Sequence, residues 1–147
     1  MHRGSDDVDW PGDELELKTG FDFLELPDAY DALAPDGSEI RLLAETPRAS
    51  MVHCSLAPGR VSIAVAHRTV EELWYCLEGG GQLWRRQGDR ETVVELAPGV
   101  SVSIPLGARF QFRNTGDAAL RFIIATIPAW PGDDEAFPVP GPWSASL

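Results

Sequence analysis

His67 and Glu72 are the two side chains of this chain whose types and spacing best suit joint chemistry. An imidazole and a carboxylate at this separation can pass a proton to and from a bound carbonyl or hydroxyl compound, and both are ligands for a divalent transition metal. His53, one strand earlier, is the residue that could add a third metal ligand to His67 and Glu72. Two protein ligands hold a metal weakly, because a catalytic site typically supplies roughly three. Without metal, a carboxylate on an apolar wall is costly to leave ionised. Glu72 should then either bind the imidazolium of His67 or carry a proton itself.

The elements that position these groups follow from the period-two alternation of strands. Val61, Ile63, Val65 and His67 share one face, and Ser62, Ala64 and Ala66 share the other, so the first face is the natural interior. Glu72, Trp74 and Cys76 share a face on the next strand, and Phe110 and Phe112 share one later. Val65, Trp74, Cys76, Phe110 and Phe112 are therefore expected to wall a small-molecule pocket, although any one of these aromatics also reads as barrel filling. The direction of His53 depends on register. If the Pro58-Gly59 turn pairs Ala57 with Arg60, Val52 faces Val65 and His53 points out, whereas a one-residue bulge would swing it inward. Arg60 and Arg109 follow turns near the barrel mouths, where a guanidinium could clamp a carboxylate; a surface arginine balancing local acid is the plainer reading. Cys54 and Cys76 lie in apolar runs without CxxC spacing and read as buried free thiols.

Short strands are expected at Glu39–Leu43, Met51–Leu56, Arg60–His67, Glu72–Leu77, Gln82–Arg86, Thr92–Leu96, Ser101–Ile104, Arg109–Arg113 and Leu120–Ile127. Each is bounded by a Gly, Pro or Asn turn signal, as in an all-β sandwich or barrel. The tetrad Leu-Ala-Pro-Gly at 56–59 recurs at 96–99, a weak half-repeat suited to a jelly roll of two Greek keys. Residues 1–13 are polar and acidic and read as a flexible terminus. Residues 14–36 read as an arm or strand followed by turns, 37–132 as the barrel, and 133–147 as a Pro-rich tail without a regular element. Trp130 should plug one end of the barrel or a subunit contact, with a lid over the pocket as the alternative.

Two spaced patterns place the chain beside a known family. The first runs Gly59, Val65-Ala66-His67, Glu72, Gly79; the second runs Gly99, Pro105-Leu106-Gly107, Phe110, Asn114. Together they resemble the two signature motifs of the small single-domain cupins. The run His67-Arg68-Thr69-Val70-Glu71-Glu72 is similar to a bacterial subgroup of them. The resemblance implies a jelly-roll β-barrel. In metal-binding cupins three histidines and a glutamate hold a divalent transition metal; of those positions only His67 and Glu72 match here, Val65 and Phe110 standing where histidines would be. The resemblance leaves three functions open: a small-molecule binder with a degenerate metal site and acid–base activity, a metal-dependent oxygenase or isomerase using an off-motif ligand such as His53, and a non-catalytic structural or sensor module.

Charge narrows the partners. The formal net charge of −11 is concentrated in residues 1–45, with three Lys or Arg against thirteen Asp or Glu, while residues 46–147 carry nine against ten. An acidic N-terminal third repels phosphate backbones and anionic membranes, so neither nucleic acid nor membrane is expected as partner. A small organic ligand in the lumen and a homodimer are expected instead. The absence of an apolar leader or spanning segment and of a disulfide framework points to the cytoplasm.

Overall fold

The computed structural model describes residues 21–147. The expectations for residues 1–13 and for residues 14–20 of the arm lie outside the described residues; the described remainder of the arm, 21–31, holds no strand, contrary to expectation. The strands are β1 (Ala32–Leu33), β2 (Glu39–Thr46), β3 (Ala49–Leu56), β4 (Val65–His67), β5 (Glu71–Glu78), β6 (Gly81–Gln87), β7 (Arg90–Leu96), β8 (Ser101–Ile104), β9 (Arg109–Asn114), β10 (Leu120–Ile127) and β11 (Ala136–Pro138). They form two antiparallel sheets, β1-β2-β3-β10-β5-β8 and β11-β4-β9-β6-β7, facing each other as an all-β jelly-roll barrel. Among the described residues no helix is long and apolar enough to cross a membrane.

Alternation decides which side chains fill the space between the sheets. Along β5, Glu72, Trp74 and Cys76 are buried while Leu73, Tyr75 and Leu77 are exposed. The core is aromatic at its centre: Trp74 stacks on Phe122 with centroids 4.3 Å apart, and Phe112 meets both rings edge-on. Both Leu-Ala-Pro-Gly tetrads make the same turn. Arg60 N donates to Ala57 O at 3.2 Å and Val100 N to Ala97 O at 3.0 Å, with Gly59 and Gly99 at φ 76 and 91. Pro followed by a left-handed Gly is the chemistry of a type II turn, so the half-repeat is real in three dimensions.

Three expectations are corrected. The Pro58-Gly59 turn does not close a hairpin. It carries the chain from one sheet to the other, because β3 pairs with β2 and β10 whereas β4 pairs with β9 and β11. The strand expected over Arg60–His67 is regular only from Val65, because Ile63 N is diverted to Asp36 O at 3.0 Å.

The tail is also ordered, contrary to its composition. A 3-10 turn at Asp133–Glu135 leads into β11, which adds an edge strand beside β4. An edge tolerates Pro138 because its outer side needs no hydrogen-bond donor. Beyond it Val139 N donates to Ala64 O, and Val61 and Ser146 exchange backbone hydrogen bonds. Between them the Gln111 amide imitates a strand, its Nε2 donating to Trp143 O at 2.8 Å and its Oε1 accepting from Trp143 N at 3.1 Å. This strap explains why Ser62, Ala64, Ala66 and Gln111, on the outer face of their strands, are buried.

Candidate functional site

At one end of the barrel a cavity of about 40 Å³ lies between the sheets. Its polar lining is Asp36, Ser38, His67, Glu72 and Thr126, and Val65, Trp74, Phe110 and Trp130 supply its apolar wall. Since a water needs roughly 10–15 Å³ of such space, the cavity takes about three waters or a ligand of a few heavy atoms. Trp130 covers it, packed edge-on against the His67 ring at 5.4 Å, with its backbone N held by Ser50 Oγ at 3.0 Å. That is the barrel-plug role expected for this indole, placed over the polar groups.

Parity on β5 puts Glu72 and Trp74 on one face. Trp74 Nε1 donates to Glu72 Oε1 at 2.8 Å, and the Thr126 side chain, cross-strand from Glu72, is also hydrogen-bonded to it. The other oxygen, Oε2, stands 3.7 Å from His67 Nε2. That separation exceeds a direct hydrogen bond. His67 Nδ1 is buried without a hydrogen-bond partner. Burial pushes the Glu72 carboxyl up to about 8, its hydrogen bonds to Trp74 and Thr126 opposing and the neighbouring Asp36 and Glu135 reinforcing the shift. Burial likewise pulls His67 down to about 4. Of the two states open to the sequence, both shifts favour the second, a protonated Glu72 facing a neutral imidazole at neutral pH. Asp36 is raised by burial too, against the hydrogen bonds it accepts from Ser38 N and Oγ at 3.0 and 2.6 Å.

Glu135, from the tail, lies near enough to His67 to act on it electrostatically. Its carboxylate accepts from Thr69 N at 2.6 Å, Thr69 Oγ1 at 2.7 Å and Val70 N at 2.9 Å. Burial alone would raise this group, but those donors together with His67 hold it below the usual carboxylate range.

The family model described as a cupin domain matches residues 52–126, which includes every motif position from Gly59 to Asn114. The chain belongs to the cupin family. Among solved structures, this cupin is similar to the capsular polysaccharide assembling protein CapF from Staphylococcus aureus, with 18% identity over 78% of this chain and 33% of that one, at TM-score 0.61. It is similar to Peruvianin-I, a cysteine peptidase from Thevetia peruviana latex, with 21% identity over 84% and 81% of the two chains, at TM-score 0.67. It is also similar to Bacillus subtilis oxalate decarboxylase, a protein with Mn(II) centres, with 14% identity over 70% and 28%, at TM-score 0.58. This cupin thus spans about a third of the length of CapF (33%) and less of the decarboxylase (28%). Identities this low speak for the fold alone. No curated protein matches the chain.

The donor set of this cupin does not fit the family's metal. Val65 and Phe110, cross-strand partners that both line the cavity, present only carbon where two of the family's histidines would stand. Among the described residues no three His, Cys, Asp or Glu side chains converge as a metal site. His53 does not supply the missing ligand. Its strand neighbours Val52 and Cys54 join the core, and His53 lies on the opposite face, between its cross-strand partners Arg41 and Ile123. It is nonetheless 2% exposed, and burial together with Arg121 and Arg41 lowers its pKa.

The remaining expected wall residues divide. Val65, Trp74 and Phe110 line the cavity. Cys76 and Phe112 face inward but are not among its lining, each being one inward-facing position further along its strand, within the packed core. Both cysteines are free and buried, with burial raising each thiol. Sequence reasoning missed Asp36, Ser38, Thr126 and Glu135. Asp36 and Ser38 carried the signal of a turn, and Glu135 that of an acidic tail.

Proposed function

We propose that this cupin binds a small organic molecule in its lumen and moves a proton on it, with Glu72 as acid and His67 as acceptor at a degenerate metal site. The observation that carries this reading is the 3.7 Å gap between Glu72 Oε2 and His67 Nε2 inside a largely apolar cavity. A protonated carboxyl and a neutral imidazole form an oriented donor and acceptor, the pairing that general acid–base chemistry on a carbonyl or hydroxyl carbon requires. Burying both without a mutual hydrogen bond is costly, and a ligand oxygen beside the gap, within reach of both, would satisfy them. The cavity size restricts the ligand to a few heavy atoms unless Trp130 swings away.

The test is a thermal-shift screen with small hydroxy and keto acids, followed by NMR of solvent deuterium entering the carbon beside the carbonyl of any hit. A ligand that binds the native state raises the Tm. The gain should disappear in His67→Ala and in Glu72→Gln, and deuterium incorporation should require both residues. A chain stabilised by none of these compounds would be a barrel filled by its own side chains, and the reading would fail.

A further inference from the structure

A second hollow lies at the barrel rim formed by the β6–β7 hairpin and the loop between β8 and β9. It measures about 200 Å³ and is lined by Arg85, Arg86, Arg90, Thr92 and Ser103 among others. An adjoining depression adds Arg109 beside Gly107. Residues 46–147 contain nine arginines and no lysine, and four of the nine converge here in a chain of net charge −11.

The other arginines mostly have visible partners: Arg68 lies over the Phe137 ring, Arg113 over the Trp143 ring, and Arg121 pairs with Glu78. The rim arginines differ. None of the four takes part in an ion pair among the described residues, where the arginine pair found is Arg121–Glu78. The nearby acids make no ion pair with them. Glu91, cross-strand from Arg86, instead accepts Trp84 Nε1 at 2.6 Å, and Asp89 at the hairpin tip makes no ion pair with them.

Two features of this rim are costly as they stand. Arg86 and Arg109 are directly opposite each other across β6 and β9, and facing like charges destabilise a strand pair. Arg85, cross-strand from Phe110, places one guanidinium nitrogen on Ser103 O at 2.8 Å, while its Nε is buried without any hydrogen-bond partner. A buried N–H left unsatisfied costs roughly 1–3 kcal/mol. An anion in the hollow would relieve both, since guanidinium forks match the oxygens of phosphate and carboxylate groups.

We infer that this rim is a binding site for a small multivalent oxyanion, a phosphorylated or polycarboxylate compound, separate from the lumen cavity. Arg85 and Thr92 form its floor. Arg86, Arg90 and Arg109 form its cationic border.

Isothermal titration calorimetry with inorganic pyrophosphate in one arm and citrate in the other, against sodium chloride of matched ionic strength, tests it and separates the phosphate source from the carboxylate source. Saturable binding is expected in at least one arm, weakened at least tenfold in Arg86→Gln/Arg109→Gln and in Arg85→Gln. Because Arg85 also ties the hairpin to Ser103, the surface double variant carries the test if Arg85→Gln unfolds. Arg48→Gln and Glu72→Gln should bind as the parent does. No saturable binding in either arm, equal affinity in the arginine variants, or a loss confined to Glu72→Gln would overturn the inference.

Discussion

The Glu72 carboxyl and the His67 imidazole face each other across 3.7 Å in the barrel lumen, both buried and both neutral near pH 7. Their spacing follows from the turn at Arg68–Val70, which carries the chain from the end of β4 in one sheet to the start of β5 in the other. That turn is held by a carboxylate far away in the sequence, so the pair and the tail form one structural unit.

The pair should write a recognisable pH profile of stability. Between pH 4.5 and about 8 folded Glu72 keeps a proton that the unfolded chain has released, so stability falls as pH rises. Between about 4 and 6.5 the unfolded chain binds a His67 proton that the folded chain refuses, so stability rises with pH. The two oppose each other from 4.5 to 6.5 and leave a net loss from 6.5 to about 8. Asp36, also raised by burial, adds its own loss as pH rises above its ordinary carboxylate value. Calorimetric Tm measured across this range should drop on the alkaline limb in the parent and flatten in Glu72→Gln. An unchanged alkaline slope in that variant would refute the assignment of the proton to Glu72.

Glu135 should matter more to stability than an acidic tail residue ordinarily would. Its carboxylate accepts three hydrogen bonds from Thr69 and Val70, and bonds to a charged acceptor contribute about 1.5–3 kcal/mol each, without strict additivity. Glu135→Ala should cost roughly 3–5 kcal/mol in urea unfolding, and Glu135→Gln roughly half, since the amide keeps one acceptor oxygen. Hydrogen exchange at the Thr69 and Val70 amides should accelerate in both variants. Exchange at parental rates would show that the tail does not hold the turn.

What the chain reveals before folding is what local chemistry encodes. The paired Pro-Gly turns, the alternation of β5 and the inward set Val65, His67, Glu72, Trp74 and Phe110 depend on neighbours within a few residues, and they were legible. Glu135 acts on residues 65 and 66 positions away, and Asp36 reaches the lumen only through the fold of a turn-rich connection. No local pattern encodes either. The tail misled for a related reason: its prolines forbid an interior strand but not an edge strand, and whether an edge is free is a property of the finished sheet.

The strap should be sensitive to a single methyl group. A Cβ at Gly141 would come within 2.5 Å of both Ala64 Cβ and Gln111 Oε1, and Gln111 cannot retreat without breaking its hydrogen bonds to Trp143 and Ser62. Gly141→Ala should therefore cost about 1–3 kcal/mol, as overpacking does elsewhere. It should also speed limited proteolysis after residue 138. Gly88→Ala, where nothing lies within 4 Å of the added atom, serves as a comparison for the loss of glycine, with backbone strain at its φ of 62 as its own separate cost. Proteolysis unchanged in Gly141→Ala would mean that the strap is not seated on Ala64 and Gln111.

The degenerate-site reading makes a constructive prediction. Val65 and Phe110 are cross-strand partners lining the same cavity as His67 and Glu72, so replacing both should restore a full set of imidazole and carboxylate donors. Val65→His/Phe110→His should take up about one divalent transition metal per chain by elemental analysis, since such a donor set suits tetrahedral or octahedral ions. Adding His67→Ala to that background should abolish uptake. The loss of the Phe110 ring from its contacts with Trp74 and His67 will lower stability by roughly 1–3 kcal/mol, which bound metal should more than recover. The parent should purify without stoichiometric metal, and His53→Ala should change nothing, because His53 lies on the outer face of its sheet. Stoichiometric metal in the parent, lost in His67→Ala, would show that this lumen binds metal with fewer ligands than its donor set offers and would overturn the acid–base reading. A folded double variant that binds no metal would show that the spacing of the four positions no longer follows the family's geometry.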